Sequence, residues 1–199
     1  MTAKYFTQPG ETVIGGLDSS GNPDHVRMNS NTGALIAIPP ALQAIYEGKE
    51  YFYSAAFELT TTTDVQNYIF ETPDSDTIRA HFNFRGTGSA ITEVALWEDT
   101  VLVTTDATEM TTYNNDRNST DSADCKIYLA SVLTTTDTGS RLKHVKSGAA
   151  TQYSRSSMAD VPADEIFLKQ NETYRISFAT GTATNLCNLL VYWHEHTDV

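Results

Sequence analysis

Cysteine is scarce in this chain, with only Cys125 and Cys187 in 199 residues. Both stand in apolar, strand-like runs, so no disulfide framework is implied, and their simplest reading is two small buried hydrophobes. Basic residues are few as well, 13 Lys and Arg against 25 Asp and Glu. The resulting net charge of −12 repels nucleic-acid phosphates, which argues against a nucleic-acid partner. Long hydrophobic runs are absent. No stretch approaches membrane-spanning length, and the first ten residues lack the apolar segment of a secretory signal. The expectation is a protein made soluble in the cytoplasm, with no membrane partner. Helical periodicity is nearly missing too. Residues 41–47 form the one short helix predicted, with Pro40 at its first position and Gly48 closing it. No repeat recurs at a fixed period, which argues against a propeller or solenoid.

Threonine, by contrast, makes up about 15% of the chain and clusters at residues 60–63, 104–105, 111–112 and 134–136, a bias toward strands and their edges. The hydrophobic content of 40% suffices for one good core. Residues 1–38 differ from the rest. Short apolar pieces (Tyr5-Phe6, Val13-Ile14, 34–38) alternate with turn chemistry such as Gly15-Gly16 and Asp18-Ser-Ser-Gly21. This reads as an extended or hairpin-rich N-terminal arm that binds a partner. Fully extended, it would reach on the order of 100 Å, against a radius of gyration of ~15 Å for the domain that follows.

From Tyr51 onward the period is two. Tyr51, Tyr53, Ala55, Phe57 and Leu59 share one strand face, and Ile78, Ala80, Phe82 and Phe84 oppose a wet row of Arg79, His81, Asn83 and Arg85. Further strands are expected at 65–71, 90–97, 101–104, 125–133, 141–146, 165–169, 173–179 and 186–195. Turn clusters at 73–76, 86–88 and 114–116 separate them. The fold class expected is therefore all-β. Residues 39–199 form an antiparallel β-sandwich, with a jelly roll as the most economical version. Its core is built from the rows of Tyr51, Ile78, Tyr174 and Leu189.

Candidate chemistry is sparse. His194 and His196 project from one strand face, and Asp198 could follow them, so a two-histidine, one-carboxylate metal site is imaginable. The spacing is not His-Glu-x-x-His, however, and the bland alternative is a surface or subunit-contact terminus. Residues 116–124 alternate oxygen ligands as a calcium loop does, but Asp121 stands where that loop needs glycine and Ile127 where it needs glutamate. A solvated loop is the better reading, with Arg117 free to pair with a carboxylate at a contact. Ser154, Ser156 and Ser157 lack a nucleophile elbow, and His25, His81 and His144 offer no ordered triad. Asp74 and Asp76 sit in a turn beside Pro73, where solvation is the ordinary state. No enzyme activity, cofactor or metal is expected from these patterns. Tyr113-Asn114-Asn115 and Tyr192-Trp193-His194 would suit sugar stacking, although aromatics at period two are more often core.

Four short motifs carry a family resemblance. They are Ile45-Tyr-Glu-Gly48-Lys-Glu-Tyr51-Phe52, Tyr113-Asn-Asn-Asp-Arg-Asn-Ser119, Leu168-Lys-Gln-Asn-Glu-Thr-Tyr174 and Trp193-His-Glu-His-Thr-Asp198. Over roughly residues 41–198 the chain resembles tailed-bacteriophage virion proteins, in particular capsid decoration (cement) proteins. The resemblance implies a structural role on the outer capsid surface, a homotrimer, and the major capsid protein or neighbouring virion subunits as partners. The arm, which shares no pattern with that family, would add the apolar anchors Tyr5, Phe6, Val13 and Ile14, and Trp193, His194 and His196 are the candidate contacts near the C-terminus. Two other readings stand beside it: a tail- or fibre-associated sandwich that binds a host carbohydrate, and a metal-dependent jelly-roll enzyme using His194 and His196.

Overall fold

The computed structural model describes residues 7–8, 11–12, 15–17, 23–25, 45, 47–100, 107–130, 139–147, 156–157 and 165–197. The chain divides into two compact units, Met1–Gln43 with Val199, and Ala44–Asp198. In the first, β1 (Thr7–Gln8) pairs antiparallel with β2 (Glu11–Thr12), and β3 (Gly15–Leu17) with β4 (Pro23–His25). Residues 18–21, expected to turn, lie outside the described residues. Tyr5, Phe6, Val13 and Ile14 lie outside the described residues. So does most of the predicted helix, of which Ile45 is helical and Gly48 closes the turn at φ +67°, its N–H donating to the Ile45 carbonyl at 2.9 Å.

The second unit is an all-β antiparallel sandwich. Its strands are β5 (Glu50–Leu59), β6 (Val65–Glu71), β7 (Ile78–Gly88), β8 (Thr92–Glu98), β9 (Ala107–Glu109), β10 (Tyr113–Asn114), β11 (Lys126–Ala130), β12 (Ser140–Ser147), β13 (Ser156–Ser157), β14 (Ile166–Phe167), β15 (Thr173–Thr180) and β16 (Asn185–Thr197). The front sheet runs β10-β5-β16-β7-β13, with β14 also on β7. The back sheet runs β12-β8-β15-β6-β11-β9.

Period-two patterning explains why these segments pair as they do, because each strand has one apolar row to bury. The front sheet contributes Tyr51, Tyr53, Phe82, Phe84, Leu189, Val191 and Trp193, and the back sheet Tyr68, Phe70, Leu96, Ile127, Tyr174, Ile176 and Phe178. The sheets interlock through edge-on rings. Phe70 lies 4.7 Å from Phe82 and 5.1 Å from Trp193, and Phe57 meets Phe178 at 5.1 Å and 89°. Cys125 and Cys187 are free and buried in this core, as their apolar settings implied.

One turn expectation fails and another is displaced by one residue. Gly86-Thr-Gly88 is not a turn but the end of β7, opposite Leu189 to Cys187 on β16. A Cβ at Gly86 would stand 2.7 Å from the Phe178 ring, so glycine is there for close packing between the sheets rather than for chain reversal. Asn114 belongs to a strand, β10, whose two residues pair with Tyr51 and Phe52 of β5, while Asn115 and Asp116 form the bend that follows it.

Candidate functional site

Alternation along β16 sorts the terminal motif. Leu189, Val191, Trp193 and Glu195 point inward and are buried, while Leu190, Tyr192, His194 and His196 lie half-buried on the opposite, outer face. Trp193 is therefore part of the interior, at 1% exposure, and does not sit on a contact surface. His194 and His196 share a face as expected, and β7 brings a third histidine to them. His81 is the cross-strand partner of His194, with ring centroids 4.0 Å apart and nearly stacked, and it lies 4.6 Å from the His196 ring. On the other side of β7, β14 places Phe167 opposite His81 with its ring at 3.9 Å. Glu165, just before β14, aims Oε1 at 3.2 Å from His81 Nδ1 and 3.5 Å from His194 Nδ1. Among the described residues, His81, His194 and Glu165 are the one group of three His, Cys, Asp or Glu side chains whose ligating atoms converge, all within 4.8 Å. Asp198 lies outside the described residues.

Burial governs the charge of this cluster. It pushes the His194 imidazole down to about 4, with His81 adding repulsion and Glu165 pulling back upward. His81 is lowered for the same leading reason, against the same pull from Glu165. The contacts with Glu165 thus have ion-pair distances, but both imidazoles are neutral near pH 7 and each keeps one nitrogen lone pair. Next to the cluster, Arg79, Phe167, Leu168, Lys169 and His196 line an open depression of about 380 Å³.

The inward residue between the two histidines has a different task. Glu195 is 4% exposed, and its Oε1 accepts the Trp193 indole N–H and the Cys125 backbone N–H, both at 2.9 Å. Oε2 accepts the Asp124 N–H at 3.0 Å. A carboxylate holding three donors stitches β16 to the loop before β11. The same end of the sandwich collects the other quoted motifs. Asn114 Nδ2 donates to the Gly48 carbonyl at 2.7 Å, and a Cβ on Gly48 would stand 2.5 Å from Ser119 Oγ. Tyr51 donates its hydroxyl to the Ser122 carbonyl at 3.2 Å. Tyr174 accepts the Lys169 N–H at 2.8 Å and donates to Glu98 Oε2 at 3.1 Å. At the opposite end, fully buried Asn185 accepts from Ser89 Oγ and the Ala90 N–H and donates to Thr92, Thr180 and the Ile91 carbonyl.

The remaining candidates are scattered. In the 116–124 loop, Asp116 Oδ1 accepts the Asn118 N–H, Asp121 pairs with Lys49 at 3.2 Å, and Arg117 lies over the Tyr113 ring at 5.5 Å rather than on a carboxylate. Ser156 and Ser157 form β13 against Gly88 and Thr87 of β7, while Ser154 lies outside the described residues. His25 belongs to β4, and His144 sits 3.6 Å from Glu93. Asp74 and Asp76 are exposed in their turn. Sequence reasoning missed Glu165 and the pairing of His81 with His194, because both depend on strand register. Glu195 was findable, being in phase with the apolar row Leu189, Val191 and Trp193. Compared with protein-family models, curated proteins and solved structures, the chain matches none.

Proposed function

We propose that this is a structural protein of a tailed-phage particle that decorates and stabilises the outer capsid surface as a homotrimer, without enzymatic activity. The observation that supports it is the fate of the four family-like motifs. They gather at one end of the sandwich, where the side chains of Asn114, Tyr174 and Glu195 hold loops to strands. Residues that carry a family likeness and serve as scaffold suit a protein whose task is to present a rigid body. Acidity supports the outer face, since a net charge of −12 is repelled by packaged DNA. We also infer jelly-roll connectivity, supported by the nested orders β5-β16-β7-β14 and β6-β15-β8-β12, in which early strands pair with late ones. That architecture recurs in capsid and lectin domains. The mechanism is mass action: binding only the assembled shell lowers that state's free energy, and three arms engaging a three-fold position multiply weak contacts.

Cosedimentation with capsids stripped of the protein tests this, comparing the full chain with one starting at Ala44. The proposal expects saturable binding by the full chain and loss on truncation. Binding by neither form sinks it. The carbohydrate-binding reading is favoured by one feature, the exposed Tyr113 ring packed 5.6 Å from Phe52 beside an Asn- and Asp-rich loop. A glycan array separates the two, since decoration expects no sugar affinity.

A further inference from the structure

We propose that His81, His194 and Glu165 form a binding site for one divalent transition-metal ion of the zinc class, which clamps the start of β14 onto β7 and β16. The inference does not depend on the virion reading. Three features carry it. The first is spacing. An ion about 2.0–2.1 Å from each donor in tetrahedral coordination holds those donors roughly 3.3 Å apart. Glu165 Oε1 already stands 3.2 and 3.5 Å from the two Nδ1 atoms, and the three ligating atoms lie within 4.8 Å of one another. Closing onto an ion therefore requires only small side-chain movements.

The second feature is the donor set. Two imidazoles and one carboxylate match zinc-class ions, whereas magnesium and calcium prefer all-oxygen shells. Three protein donors leave a fourth position, as in zinc sites that keep a water or take a further ligand. His196 stands outside the three-donor set, its ring 6.4 Å from that of His194. The third feature is mounting. His81 and His194 are paired on adjacent strands of the front sheet, so the backbone presents both imidazoles without a loop having to order. Glu165 alone comes from outside a strand. With Phe167 packed on His81, it is the movable jaw of the clamp. The ion would join three segments far apart in the chain, and by binding the folded state it would stabilise that state in proportion to its concentration.

The test uses the full-length chain, stripped with a chelator and dialysed, then titrated with zinc chloride by calorimetry and with cobalt chloride by visible absorption. The result expected is one saturable site per chain, a tetrahedral cobalt spectrum and a melting temperature that rises with zinc. Glu165→Gln and His81→Gln are expected to weaken binding by at least the roughly 10–100-fold that changes behind metal ligands cause. His144→Gln, outside the cluster, is expected to bind as the parent does. Glu165 is half-exposed, so its glutamine variant keeps the fold even if the His81 variant does not, and it then decides alone. Absence of saturable zinc binding by the parent overturns the proposal. So does parent-like binding by Glu165→Gln, equal weakening by His144→Gln, or calcium binding as tight as zinc.

Discussion

Replacing Glu195 with glutamine removes one acceptor oxygen and the charge while keeping the volume. Either amide orientation turns an NH2 group toward a backbone or indole donor. The less costly orientation keeps the oxygen on the Trp193 and Cys125 donors and sets the NH2 against the Asp124 N–H. One charge-assisted bond, worth about 1.5–3 kcal/mol, is lost, and the two survivors become neutral bonds of roughly half the strength. A buried amide costs less desolvation than a buried carboxylate, which offsets part of this. The net expectation is ~2–4 kcal/mol of lost stability, or roughly 5–15 °C in melting temperature for a chain of this length. Urea unfolding followed by tryptophan fluorescence measures it, since both tryptophans, Trp97 and Trp193, belong to the sandwich. A cycle with Trp193→Phe should return a coupling above ~0.5 kcal/mol. Stability of the glutamine variant within about 0.5 kcal/mol of the parent, with no coupling, would refute the view that this carboxylate fastens the loop.

Gly48→Ala should cost ~1–3 kcal/mol, because alanine resists φ +67° and its Cβ meets Ser119 Oγ, and adding Ser119→Gly should restore part of the loss. A denaturation midpoint equal to the parent's would count against the left-handed turn. Neither cysteine should react with a thiol reagent in the native protein, and both should on unfolding. Burial raises each thiol's pKa, that of Cys187 to about 11 and that of Cys125 further. Rapid native labelling contradicts this. In metal-free protein, His194 should make stability fall with acid. Its folded pKa of about 4 lies below the unfolded value of 6.5, so between those values the unfolded chain binds more protons. Stability is lost as pH drops through that window and levels off below it. For a ring still partly open to solvent the effect is on the order of 1 kcal/mol after screening. His194→Gln should flatten that part of the profile, and an unchanged slope would refute the assignment.

Strands with one apolar row were legible because burial enforces period two. The inward rows of Phe82, Phe84, Tyr174, Ile176 and Phe178 stand where alternation puts them, whereas the 65–71 strand buries Asn67, Tyr68, Ile69 and Phe70 in succession. What alternation cannot supply is register across strands. His81 and His194 are paired only because β16 runs antiparallel beside β7, and Glu165 joins them only because β14 sits on the far side of β7. Glycine misled the reading at residues 86–88. Its usual meaning is a turn, and here the missing side chain accommodates the Phe178 ring. Tyr113-Asn114 was hidden in turn chemistry, since a two-residue strand carries no period.

The positions of β15 and β16 bear on how the molecule is made. β16 lies between β5 and β7, and β15 between β6 and β8, so the strand between each pair of neighbours is synthesised after both of them. Until residues 173–197 emerge from the ribosome, β5 to β8 each keep one open edge, because β10, β11, β14 and β12 cover only the other. Interrupted translation would yield sticky, protease-sensitive fragments rather than a partly built sandwich. Folding of the sandwich thereby waits on its two late central strands.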